Sequence, residues 1–111
     1  MGFLVAFSRK MYLTAYINHL EVKVRDITEQ KLDLTETITQ LTTQISDIGD
    51  NDSAAVKKLK ARQAELENLD KQLEMRMQKF QTQLQAAQTE QQSADQSLQQ
   101  GKQRSFSYSF G

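Results

Sequence analysis

The chain contains no proline and no cysteine, and its four glycines stand at Gly2, Gly49, Gly101 and Gly111. Without cysteine there are no disulfides, no thiol chemistry and no thiolate metal sites. Without internal breakers, a helix can run through Phe3–Ile48 and again through Ser53–Gln100. Charge of either sign is not in excess, with 14 basic and 14 acidic residues. No net field therefore steers the molecule toward nucleic acid, and no nucleic-acid partner is expected. The apolar start Met-Gly-Phe-Leu-Val-Ala-Phe is too short to span a bilayer, which needs roughly 20 residues. It also has no basic residue ahead of its apolar run, so a cleavable signal peptide is not expected. Synthesis in the cytoplasm, with later export into an extracellular assembly left open, is the expected itinerary. Gly2 raises the question of myristoylation, but Ala6 stands where that motif needs Ser or Thr.

The residues that are present describe a seam. Leu13, Leu20, Ile27, Leu34, Leu41 and Ile48 form one column at seven-residue spacing, and Ile17, Val24, Lys31, Ile38 and Ile45 form a second. Alternating steps of four and three over five heptads are a coiled-coil pattern. Lys31 is its one polar member: such a residue can set register or partner number, and its long stem can equally carry the ammonium to water at the edge of the seam, the expectation preferred of the two. Gly49 suits the left-handed turn that closes many helices, and Asp50, Asn51, Asp52 and Ser53 are candidate N-caps for the next. A connection this short makes the two helices antiparallel neighbours.

In the second arm, Leu59, Leu66, Leu73, Phe80, Ala87 and Ala94 form the main column. A companion column reads Leu69, then Met77, Leu84 and Leu98, with a one-residue slip that predicts a stutter. Folding about residues 50–51 sets Tyr16, Ile17 and Leu20 against Phe80, Leu84 and Ala87. The expected fold is all-α: one antiparallel two-helix coiled-coil hairpin over residues 1–111. Its parts are helix 1 over 3–48, a turn over 49–53, helix 2 over 53–100 and an extended tail over 101–111.

Two terminal features exceed what a hairpin needs. Phe3, Leu4, Val5, Ala6, Phe7, Met11, Tyr12, Leu13, Ala15, Tyr16 and Ile17 would cover nearly every direction of a helix, more than one partner helix can shield, and Phe3, Leu4, Phe7, Met11, Tyr12 and Tyr16 are the candidate contacts among them. Phe106, Tyr108 and Phe110 alternate with serines, as an extended segment with one aromatic face would. Both are candidate assembly contacts, and the hairpin seam supplies the core.

Catalytic and ligand chemistry finds no foothold. His19 is the sole histidine and has no companion ligand, so no metal and no cofactor are expected. Glu65/Glu67 and Glu29/Asp33 lie on solvated faces, and no phosphate loop or nucleophile–His–acid set exists. Lys57, Lys58, Lys60 and Arg62 form a basic cluster that Asp47, Asp50 and Asp52 should compensate across the turn. No enzyme is expected.

Two helical arms about Gly49–Ser53, with apolar or aromatic ends at Phe3–Ile17 and Phe106–Phe110, resemble the small subunits of type III secretion machinery. Needle subunits of that family are helical hairpins that polymerise through their terminal segments, and the stalk proteins are antiparallel coiled coils. The resemblance implies a structural subunit whose partners are other copies of itself, in a filament or needle-like secretion or surface structure. The turn here lacks the proline that needle subunits commonly carry, and the arms are longer. Two other readings stand beside it: an adaptor or export chaperone clasping the helix of another protein, and a peripheral membrane coiled coil touching lipid through Phe3–Ile17.

Overall fold

The computed structural model describes the backbone of residues 2–110 and the side chains of residues 2–101. It is a helical hairpin of two helices, α1 (Gly2–Ile48) and α2 (Ala54–Phe110). The contacts divide into two units, one of Met1–Lys23 with Phe80–Gly111 and one of Val24–Lys79.

The turn lies in the second unit. Gly49 has φ 74°, the left-handed conformation that a side chain resists, and its N–H donates to Ile45 O at 3.2 Å. Asp50 Oδ1 accepts from the Asp52 N–H at 3.0 Å, an Asx turn that points the chain back. Of the four candidate caps, Ser53 is the one used: its Oγ accepts from the Val56 N–H at 3.1 Å. Val56 is thereby held at 0% exposure at the root of the hairpin.

Above the turn, Ile27, Leu34 and Leu41 of α1 are buried, and Val24, Ile38 and Ile45 are half-buried. Ile48, which spacing assigns to the seam, is 44% exposed because α1 ends there and turns away. On α2, Leu66, Leu73 and Met77 are buried and Leu59 half-buried. The expected stutter is absent. The companion column steps by seven through Val56, Gln63, Asp70 and Met77, all buried or half-buried, whereas Leu69 is 43% exposed. Polar residues occupy that seam, and each has a partner. Gln63 Nε2 donates to Thr42 Oγ1 at 2.7 Å. Lys31 Nζ lies 3.4 Å from Asp70 and hydrogen-bonds Glu74. The stem of Lys31 carries its ammonium to the solvated edge of the seam, where it meets two carboxylates of α2 that raise its pKa above the usual value, the hydrogen bond to Glu74 contributing most.

In the unit formed by the two chain ends, Ile17, Leu20 and Ala87 make a buried cluster, with Tyr16, Phe80 and Leu84 packed against it. Leu13, Ala94 and Leu98 extend the buried seam. Gln91 Nε2 donates to Thr14 Oγ1 at 2.8 Å, repeating the Gln63–Thr42 pair. In both pairs the threonine hydroxyl donates to the carbonyl four residues back, Lys10 or Ile38, which leaves its lone pairs for glutamine. The same back-bonding at Thr28, Thr37, Thr39 and Thr43 occupies hydroxyls that would otherwise compete with the helix.

A fold about residues 50–51 would put Thr14 beside Ala87 and Thr42 beside Leu59, yet they bond Gln91 and Gln63. The partners lie about one helical turn further along α2. Side chains lean toward the N-terminus of their own helix, away from the turn in α1 and toward it in α2. Side chains that meet across an antiparallel pair are therefore offset in this sense.

The extended tail expected from Gly101 is replaced by helix, since α2 continues through Phe110. Glycine costs a helix only about 1 kcal/mol, and Lys102, Gln103 and Arg104 are good helix formers. Gly101 instead continues the column of Ala87 and Ala94. A Cβ placed there would meet Phe3 Cα and Cβ at 3.9 Å. The side chains of Phe106, Tyr108 and Phe110 lie outside the described residues.

Candidate functional site

The first turns of α1 carry more apolar surface than α2 can cover. Leu13, Ile17 and Leu20 face α2 and are buried, whereas the residues before them are not. Phe3 is 39% exposed, Leu4 67%, Val5 66%, Phe7 47%, Met11 59% and Tyr12 68%. At about 200 Å² for each large side chain, these six leave roughly 700 Å² of apolar surface in water.

Two aromatic pairs order this surface. The Phe3 and Phe7 rings stack with centroids 6.4 Å apart, and those of Tyr12 and Tyr16 stack at 6.2 Å. Helical i, i+4 spacing puts the members of each pair one turn apart on one side. Tyr16 is half-buried because its ring leans on the Ile17–Leu20–Ala87 cluster. Of the expected assembly residues, Phe3, Leu4, Phe7, Met11 and Tyr12 stand in solvent and Tyr16 joins the seam. Gly101 beside Phe3 places the start of the last stretch of α2 at the same end of this unit.

The cations within the patch are already matched. Arg9 lies 3.5 Å from Glu90, and Lys10 Nζ lies 2.9 Å from Asp95 Oδ1. That Asp95 oxygen is buried and accepts no hydrogen bond among the described residues, so Lys10 is its counter-charge. Both pairs are substantially solvent-exposed and add little stability. Their effect is to set a carboxylate beside each of these two cations.

No protein-family model, curated protein or solved structure matches the chain.

Elsewhere the described residues offer little enclosure. An open groove of about 350 Å³ between the helices is lined by Leu34, Leu66, Leu69 and Leu73, with Asp33 and Arg62 at its rim. A smaller one of about 220 Å³ lies beside Lys31, Leu32 and Met77. His19 is exposed on α1. Among the described residues no cluster of His, Cys, Asp or Glu could hold a metal ion, and no helix is long and apolar enough to cross a membrane. The basic cluster after the turn finds neighbours other than the expected aspartates: Arg62 pairs with Glu65 at 3.1 Å, and Lys60 Nζ lies 3.5 Å from Asn51 Oδ1.

The polar members of the α2 seam, Gln63, Asp70 and Gln91, are the residues that hydrophobic periodicity overlooks. Extrapolating back from Met77 by sevens reaches Asp70, Gln63 and Val56, and forward reaches Leu84, Gln91 and Leu98.

Proposed function

We propose that this protein is a non-enzymatic structural subunit that associates with further copies of itself through the ends of its chain. The observation that carries the reading is the uncovered apolar surface from Phe3 to Tyr12, on a helix whose opposite side is already seated against α2. A two-helix hairpin buries one seam, and small scaffolds with one seam gain stability by oligomerising when they have neither disulfide nor metal. A filament, as the resemblance to needle subunits implies, is one form such an assembly takes.

Neutral pairing of Arg9 and Lys10 favours this reading over a membrane one. Interfacial helices draw part of their affinity from basic residues free to meet anionic headgroups, and here both cations face carboxylates of their own chain.

The test is the solution mass of the full-length chain across a concentration series, by light scattering with helicity followed in parallel. Growth with concentration at constant helicity is the expected result. A single-chain mass that stays constant into the high micromolar range refutes self-association and turns the search to a heterologous protein partner.

A further inference from the structure

The two aromatic pairs of α1 lie on opposite flanks of the helix. Their midpoints are nine residues apart, and at about 100° per residue this is half a turn from each other. The side occupied by Leu13, Ile17 and Leu20, which faces α2, falls about a quarter turn from each. One flank thus shows Phe3 and Phe7 bordered by Leu4 and Met11, and the other shows Tyr12 and Tyr16 bordered by Val5. The flanks differ in composition, and they point away from each other.

We infer that the Phe3/Phe7 flank of one copy packs on the Tyr12/Tyr16 flank of the next, a head-to-tail contact that repeats. This rests on the self-association reading and specifies its partner surfaces.

Three observations support the pairing. The first is area. Leu4, Phe3, Phe7 and Met11 from one copy and Val5 and Tyr12 from the next together bring roughly 700 Å² of apolar surface at ~200 Å² for each side chain. An interface at the lower bound of about 1,200 Å² is roughly 57% apolar, so it needs about this amount. Either flank paired with itself divides the surface unequally between two different contacts. The second is charge. Arg9 and Lys10, which border the flanks on the side toward α2, are held by Glu90 and Asp95. Among the described residues neither flank presents a bare charge to a neighbour. The third is the lack of an alternative receiver among the described residues. The other exposed large apolar residues described, Val22, Leu32, Ile48, Leu69 and Met75, are dispersed along the two helices. Single residues of this kind are ordinary surface.

Two unlike surfaces on one subunit generate a ring if the rotation closes and a filament if it does not. They also permit a complementation test. In one variant Leu4→Gln and Phe7→Gln remove the Phe flank, and in a second Val5→Gln and Tyr12→Gln remove the Tyr flank. All four positions are solvent-exposed, and glutamine is a good helix former, so helicity by circular dichroism should match the parent. Phe3 and Tyr16 are left in place because they touch the hairpin itself.

Light scattering should show growth for the parent, a single-chain mass for each variant alone, and twice that mass for the equimolar mixture. In the mixture each variant supplies the flank that the other lacks, and growth stops at two. The head-to-tail contact is overturned if the parent grows but one variant also grows, or if the mixture stays at single-chain mass. A parent that never grows overturns the self-association reading itself.

Discussion

Replacing Gly101 by alanine should stabilise the protein. In the structure this residue is inside α2, is not in a left-handed conformation and lies beside α1. The added methyl would meet Phe3 Cα, Cβ and Cδ2 at 3.9 Å each, which is ordinary contact distance, so nothing has to move. Glycine in a helix interior costs about 0.5–1 kcal/mol relative to alanine, chiefly through backbone entropy in the unfolded chain. A methyl fully taken out of water adds at most about 0.8 kcal/mol, and at this half-covered position about half of that. The expected gain is therefore about 1 kcal/mol. Urea unfolding followed by circular dichroism, at a concentration where mass is constant, measures it directly. Gly49→Ala is the matched contrast. At φ 74° an alanine is strained by about 1–2 kcal/mol, and the same assay should show a loss. If Gly101→Ala is neutral or destabilising while Gly49→Ala behaves as expected, then α2 does not continue through this position against Phe3.

Other perturbations test other parts of the hairpin. Ser53→Ala removes the cap on the Val56 N–H and should cost about 1 kcal/mol in the same unfolding assay. Leu20→Ala, at 1% exposure in the Ile17–Ala87 cluster, should cost about 2–5 kcal/mol, and a loss below 1 kcal/mol would mean that α2 does not seal this site. Because Glu74 and Asp70 raise the pKa of Lys31, its contribution is fully present below about 10.5 and is lost as pH rises through the higher folded value. The thermal midpoint of the parent should therefore fall more steeply above pH 10.5 than that of Lys31→Met, and parallel curves would deny the interaction.

The hairpin was legible because its signals are redundant. Two apolar columns, Gly49 and the Asp/Asn/Ser run all point to the same break, and local preference agrees with tertiary packing. The α2 seam is less legible because Gln63, Asp70 and Gln91 are polar, so apolar periodicity alone leads to Leu69 and implies a slip. Only the cross-helix partners Thr42, Lys31 and Thr14 reveal why polar side chains belong there. Gly101 looks like a breaker because the sequence after it changes character, whereas its spacing from Ala87 and Ala94 marks it as a seam residue. The exposed apolar surface of α1 was readable from composition, but the opposition of its two aromatic pairs needed a helix of known extent.

Apolar columns that repeat every seven residues are nearly blind to translation. Slide one helix past the other by a heptad and most leucines and isoleucines find equivalent neighbours. The Lys31 triad breaks that symmetry. After such a slip, Lys31 would face Met77 and Gln81 in one direction, or Gln63 and Glu67 in the other, and Asp70 would lose its cation. One lysine in an otherwise greasy stripe thus acts as an alignment mark, distinguishing the native hairpin from near-copies that bury almost as much surface.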